Sequence, residues 1–247
     1  TESRIREKTS KLWLTGRRVG LEINADKTEL MCINTSPNAP LNVGSKDLSC
    51  VDNFTYLGSV ISKEESALKD IKSRLGKARG AFVKLRPVWR SSSYSIQTKT
   101  RLYNSIVKTV LLYGSECWRV VDSDFQKLDA FHNGCLRKIC RIFWPRVITN
   151  EDLYVKTNSE PMRRTVQKRR LKWLGHVLRM PPERIPKVAL HWTPQGKRSR
   201  GRPKTTWRRA VEKELETMKL TWGETKVAAK DRIAWRQRVE VSCSARS

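Results

Sequence analysis

GLEINADKT at residues 20–28 and FTYLGSVIS at residues 54–62 decide how the rest of this 247-residue chain reads. Before the first phrase, residues 2–18 read as a helix with a partial apolar face of Ile5, Leu12, Trp13 and Leu14. Gly20 suits its C-cap, where left-handed backbone is cheap for Gly or Asn. Asn24 to Asp26 reads as a turn, with Asn24 bonding backbone groups. Residues 29–34 (ELMCIN) read as a short strand, ended by Pro37 and Pro40. Gly44-Ser45 separates residues 41–43 from 46–48 with Gly first, the pattern of a type II′ hairpin. Residues 55–61 read as another strand. This opening is one helix and a few strands, too little for a sheet domain alone.

The charge then changes. Residues 1–62 carry 8 Lys/Arg against 7 Asp/Glu, whereas the whole chain carries 51 against 24, a net charge of +27. Charge of that size repels itself, so a polyanionic partner is the natural reading. Nucleic acid fits better than a membrane, because no apolar run approaches the ~18 residues needed to span one. Six cysteines show no CxxC pair, which favours reduced thiols inside the cell. The opening residues, TESRIREKTSKLW, have no apolar core for a signal peptide.

The basic remainder reads as helices. From 65 to 89, Leu68, Ile71, Leu75, Ala78, Phe82, Leu85 and Trp89 step by three and four, one apolar stripe. Lys69, Lys72, Arg74, Lys77, Arg79, Lys84 and Arg86 fall mostly off it. Pro87 disfavours helix at Arg86, so the helix is expected to end there. Residues 95–118 read as a central helix with Leu102, Tyr103, Ile106, Val107, Val110, Leu111 and Leu112 inward. Residues 122–143 read as a third, capped by Asp122 or Ser123, with Phe125, Leu128, Phe131, Cys135, Ile139 and Ile142 inward. A short helix at 149–155 takes Thr149 or Asn150 as cap. Pro161 opens a long helix that Pro181-Pro182 stop, with Trp173, Leu174, Val177 and Leu178 on its packed face. That helix holds Arg163, Arg164, Lys168, Arg169, Arg170 and Lys172. Residues 193–204 (TPQGKRSRGRPK) read as a basic linker, and helices are expected at 206–218 and 224–239.

Taken in order, these stretches resemble the carboxyl-terminal part of a LINE-type (non-LTR) retrotransposon reverse transcriptase. The carrying phrases are GLEINADKT, FTYLGSVIS, LLYGSECW (111–118), RRLKWLGHVLRM (169–180) and RGRPKTTW (200–207). The resemblance implies a mainly α fold. A small α/β palm remnant (1–62) comes first, then a helical thumb-like bundle (63–192), then a basic linker and carboxyl-terminal helices (193–247). It implies that Phe54, Tyr56, Leu57 and Gly58 form a primer grip, where an aromatic and a Gly allow close backbone approach. From the residues alone, Tyr56 could equally pack on the following helix. It places Lys27 near the incoming nucleotide, as general acid for the departing pyrophosphate; from the residues alone Lys27 is a surface lysine after a turn. Lys69, Lys72, Lys77, Arg79, Arg163, Arg164, Lys168, Arg169, Arg170, Lys172, Arg200, Arg202 and Lys204 become the candidate nucleic-acid contacts.

Such a polymerase holds two Mg ions on an Asp-Asp pair and a third Asp. This sequence has no Asp-Asp dipeptide, and by the resemblance it starts after that hairpin. The expectation is a chain that grips a primer–template but does not polymerise alone, with no cofactor or metal of its own. A non-enzymatic RNA- or DNA-binding module and a decayed copy without function are the alternatives. The partner is nucleic acid, not a membrane. The expected location is the nucleus, or a cytoplasmic ribonucleoprotein.

Other motifs are weaker. Cys117, His132, Cys135 and Cys140 lack the spacing of a zinc knuckle, so core cysteines and a rim histidine are expected. RGRP at 200–203 resembles the centre of an AT-hook, which lies in a narrow minor groove, and the run GKRSRGRPK resembles a nuclear-import signal. Trp residues beside cations, such as Trp89–Arg90 and Trp235–Arg236, could stack on unpaired bases or belong to the core.

Overall fold

The computed structural model describes residues 2–33, 40–63, 67–193 and 206–244. The fold is mainly helical, with strands only in small two-stranded pairs among the described residues, as the sequence led us to expect. The chain divides into two compact units, residues 1–70 and 71–247.

In the first unit, α1 (Glu2–Arg18) ends where Gly20 turns to φ +76°, and Leu21 N donates to Gly16 O at 2.9 Å. Asn24 Oδ1 accepts from Lys27 N at 3.1 Å, so Asn24 holds the turn as expected. β1 (Glu29–Leu30) pairs in parallel with β4 (Ser49–Cys50). β1 is shorter than the expected strand: residues 31–33 leave the ladder, and residue 34 lies outside the described residues. β2 (Asn42–Val43) and β3 (Lys46–Asp47) form the expected hairpin; Gly44 alone has positive φ (+63°), which makes the turn type II′. A Cβ on Gly44 would lie 3.3 Å from the Trp13 ring. That close approach lets Trp13 cover the small core of Leu41, Val43 and Leu48, with Ile23, Ala25 and Leu30 around it.

The phrase at 54–62 is not the single strand expected. It is a hairpin of β5 (Asn53–Tyr56) and β6 (Ser59–Ser62), with Tyr56 opposite Ser59. Leu57 (φ +48°) and Gly58 (φ +83°) make the turn, both left-handed as a type I′ turn demands. Its right-handed twist matches the strands, which offsets the strain of a left-handed leucine.

In the second unit, α2 (Leu68–Lys84) begins just ahead of the boundary and buries its predicted stripe: Ile71, Leu75, Ala78 and Phe82 are all under 9% exposed. The break falls at Leu85, near the expected point, and α3 (Arg86–Arg90) starts afresh with Pro87 in its first turn. There proline loses no hydrogen bond, because first-turn N–H groups have no partner inside the helix. Trp89 Nε1 then caps the Phe82 carbonyl at 2.8 Å. α4 (Ile96–Leu102) passes through a wide π turn, Tyr103–Val107, into α5 (Lys108–Leu111). The extra residue rotates the face, so Tyr103 and Val107 are fully buried while Ile106, expected inward, is 39% exposed.

α6 (Asp122–Ile139) stops short of the predicted 143, because Arg141 adopts φ +54°. Its first turn is closed by Asp124, whose carboxylate accepts from Val121 N at 3.3 Å, and not by Asp122 or Ser123. α7 (Asn150–Thr157) takes Thr149 as cap. α8 (Met162–Arg179) starts after Pro161 as predicted. α9 (Ile185–His191) was not foreseen. α10 (Trp207–Thr217) follows the expected pattern, but the helix predicted at 224–239 is two, α11 (Trp222–Ala228) and α12 (Arg232–Ser244). Asp231 starts the second: its Oδ1 accepts from Ile233 N at 2.8 Å and Ala234 N at 3.0 Å. These last helices do not form a basic tail apart. Val211, Leu215, Ala229, Trp235, Val239 and Cys243 share one apolar core with Leu171, Leu174 and Val177 of α8. Among the described residues no helix is long and apolar enough to cross a membrane.

Candidate nucleic-acid interface

The side of α2 away from its stripe is open. Lys72 and Arg79 edge it on one flank and Lys77 and Lys84 on the other, all four exposed, while Lys69 is half-buried. Lys72, Lys77 and Arg79 have no ion-pair partner among the described residues. Gly76 and Gly80 lie on the same side, and a Cβ on either would meet only open space. A four-residue step places them one above the other, so the helix surface is flat there between cations. Lys72, Leu75 and Arg79 also wall a groove whose other side is Lys127, Ala130 and Phe131 of α6. Lys127 lies 3.7 Å from Asp124, so one of the three groove cations is partly neutralised. Lys127 escaped the sequence reading, and Phe131 was read only as inward, because only the groove between α2 and α6 brings them there.

The cations of α8 behave differently. Arg170 is 2% exposed; its guanidinium pairs with Glu214 and donates to Trp118 O at 3.0 Å. Arg169 donates to Leu112 O at 2.8 Å. Lys168 lies between Glu160 (2.7 Å) and Glu240 (3.0 Å). Burial alone would lower its ammonium; the two carboxylates overcome this and hold it above its ordinary value. Lys172 takes the other oxygen of Glu240 at 2.6 Å. Arg163 pairs with Asp122 and sits 4.4 Å over the Phe125 ring. Arg164 is half-buried. The densest basic cluster in the sequence is therefore largely committed to joining α8 to its neighbours, and Arg163 and Lys172 keep the most exposed charge. Arg200, Arg202 and Lys204, with the RGRP phrase, lie outside the described residues.

In the first unit, Tyr56 and Leu57 stand out from the hairpin tip, 57% and 73% exposed, and Phe54 stacks beside Tyr56 at 6.4 Å. Lys27 is exposed after the Asn24 turn, while its neighbour Asp26 pairs with Lys46 at 3.0 Å. Among the described residues no three His, Cys, Asp or Glu side chains converge as metal ligands. With no Asp-Asp dipeptide in the sequence, the residues present do not fit a two-metal polymerase site.

His132 is a correction. It is fully buried, not at a rim, and its Nδ1 meets Tyr103 Oη at 2.8 Å. Tyr103 and Tyr154 rings flank it at 5.5 and 6.1 Å. Burial, with repulsion from Lys108, pulls its imidazole down to about 3, against a weaker opposing effect of the Glu160 backbone. The unfolded chain takes up this proton near pH 6.5 and the folded chain does not. The stability it lends is whole above that pH and falls as pH drops toward 3, by roughly 1.4 kcal/mol per unit. Urea unfolding at pH 7 and 4.5 should show a larger acid loss in the wild type than in His132→Gln. Equal losses would refute the buried neutral histidine.

A model of a domain of unknown function, DUF6451, matches residues 81–113, which span the end of α2 through α5. Over 230 residues the chain is 29% identical to a Caenorhabditis elegans protein whose name calls it uncharacterized and transposon-derived; the match covers 88% of this chain and 82% of that protein. No solved structure matches. The chain is thus similar to a protein of transposon origin.

Proposed function

We propose that this chain is the nucleic-acid-gripping, carboxyl-terminal part of a LINE-type reverse transcriptase, and that α2 is the element laid against the sugar–phosphate backbone of a primer–template. The observation that carries this reading is the open face of α2, where Lys72, Lys77 and Arg79 surround the bare helix surface at Gly76 and Gly80. A backbone contact of this kind positions a duplex without reading its sequence. The similarity to a transposon-derived protein supports the origin. The exposed tip at Tyr56 and Leu57 would touch the primer end, and Lys27 would act only where the catalytic carboxylates are supplied elsewhere. The chain itself then does no polymerisation, and the two Mg ions belong to that other part. The nucleus, or a cytoplasmic ribonucleoprotein, is the location that fits this role.

The test is binding of the purified chain to a recessed primer–template, single strands and blunt duplex across a salt series. We expect preference for the recessed junction and a steep fall with salt. Lys72→Glu/Lys77→Glu/Arg79→Glu should weaken duplex binding at least tenfold at about 0.1 M salt and flatten the salt slope by about 3, roughly one per lost phosphate contact. Unchanged affinity and slope would remove α2 from the interface. A second reading, a stand-alone binding module, is favoured by the relative, most of whose own length is this same stretch. It predicts equal affinity for recessed and blunt duplex.

A further inference from the structure

The segment after α6 was not part of that reading, and it presents aromatics to solvent. Phe143 is 60% exposed, Trp144 88% and Val147 86%. Exposed apolar side chains grouped in one turn mark an interaction site more than single ones do, and here the backbone is tied at both ends. At the start, Arg141 takes the left-handed conformation, Ile142 N donates to Arg137 O at 2.9 Å, and the Ile142 side chain is 7% exposed. The Arg141 guanidinium donates to the carbonyl of Arg90 in α3. Arg146 N closes the turn on Phe143 O at 2.9 Å. At the far end, Arg137 reaches Ile148 O at 3.4 Å and Asn150 Oδ1 at 2.8 Å. The aromatics are therefore held out by a fixed backbone.

Charge says what they meet. From residue 130 to 150 the sequence has four cations, Arg137, Lys138, Arg141 and Arg146, and no carboxylate. Lys138 and Arg146 are exposed, and Arg146 belongs to the same turn as the aromatics. Flat π faces next to cations, on a prearranged loop, suit bases with their phosphates; base–aromatic stacking tolerates any sequence because every base has a π face. Cations beside exposed rings favour an anionic partner over a neutral apolar one.

We propose that residues 143–147 form a stacking platform for unpaired bases of single-stranded nucleic acid, with Trp144 as its principal face. The proposal rests on the nucleic-acid reading above, and adds the strand state that a second element recognises. The duplex contacts of α2 and the stacking contacts of this loop are then separable.

The experiment compares the full chain with Trp144→Ala and Trp144→Phe, using an oligo(dT) strand, an oligo(U) strand and a blunt duplex of mixed sequence. Trp144→Ala should weaken binding of at least one single strand about tenfold, leave duplex affinity within about twofold, and be partly rescued by Trp144→Phe. Exposed as it is, Trp144 should not be needed for folding, which thermal unfolding of each variant checks. Duplex binding that persists while Trp144→Ala leaves both single-strand affinities unchanged would overturn the platform alone, and would point to a protein surface there. Loss of duplex affinity equal to the single-strand loss would also overturn it. No binding by the wild type to any of the three would overturn the nucleic-acid reading itself.

Discussion

Replacing Gly175 with alanine is expected to destabilise the second unit by about 3 kcal/mol, although alanine is the better helix former by about 1 kcal/mol. An added Cβ would stand 2.3 Å from Trp235 Nε1 and 2.4 Å from its Cδ1. Trp235 cannot step aside: it is 1% exposed, and its Nε1 donates to Leu171 O at 2.9 Å, one turn back on α8. The glycine is thus the notch that lets α12 close on α8, and filling it separates two helices that share one core. For a unit of this size the loss should lower Tm by roughly 6–12 °C. Gly76→Ala and Gly80→Ala are the controls, since their Cβ meets open space; both should leave Tm equal or higher. In a Trp235→Leu background Gly175→Ala should cost much less, and a double-mutant cycle without coupling would rule the notch out.

That notch shows why part of the fold was legible and part was not. The stripe of α2 and the proline-led start of α8 follow from spacing and stereochemistry carried by neighbouring residues. Gly175 in the phrase KWLGHVLR gives no such signal, because its reason is a tryptophan sixty residues away. The same holds for the misreadings. The π turn at Tyr103–Val107 changes which residues face inward without any change in composition. The phrase FTYLGSVIS was read as one strand because leucine is a poor choice for a left-handed position, and only the paired backbone reveals a turn there.

Charge was the most misleading signal at the candidate site. A run such as RRTVQKRR reads as a surface for phosphate, yet neighbouring cations one or two residues apart on a helix point in different directions. Arg169 and Arg170 turn toward carbonyls of residues 112 and 118, and Lys168 toward two glutamates. The sequence marked these acids only as scattered single residues. Where no acid lies close, as along Lys72, Lys77 and Arg79, the sequence expectation of exposed cations and the structure agree. The aromatic loop at 143–147 gave no sequence signal, because nothing in the order of residues says that the helix ends at Ile139 and turns Phe143 and Trp144 outward.

Arg170→Met should be the most damaging single change in the basic cluster, costing about 3–5 kcal/mol near pH 8. It removes the partner of Glu214, which sits only 16% exposed at its side chain. Burial pushes the Glu214 carboxyl up to about 7 even with the Arg170 guanidinium opposing it. Among the described residues, one oxygen of Glu214 and the Nε of Arg170 have no hydrogen-bond partner, so the pair compensates its own desolvation incompletely. The sign follows. In the wild type the folded chain holds this proton to higher pH than the unfolded chain, so the contribution of Glu214 is most favourable below about 4.5 and declines as pH rises through 7. Without Arg170 the carboxylate is harder still to ionise, and the penalty should shrink markedly at pH 5, where a proton replaces the lost cation. Adding Glu214→Gln should abolish that pH difference, because an amide does not titrate. A penalty equal at pH 5 and pH 8 would refute the account. Nucleic-acid affinity of the folded Arg170→Met protein should match the wild type, since a guanidinium 2% exposed has no face to offer a phosphate. That separates it from Lys72, Lys77 and Arg79, whose replacement should weaken binding and leave the fold intact.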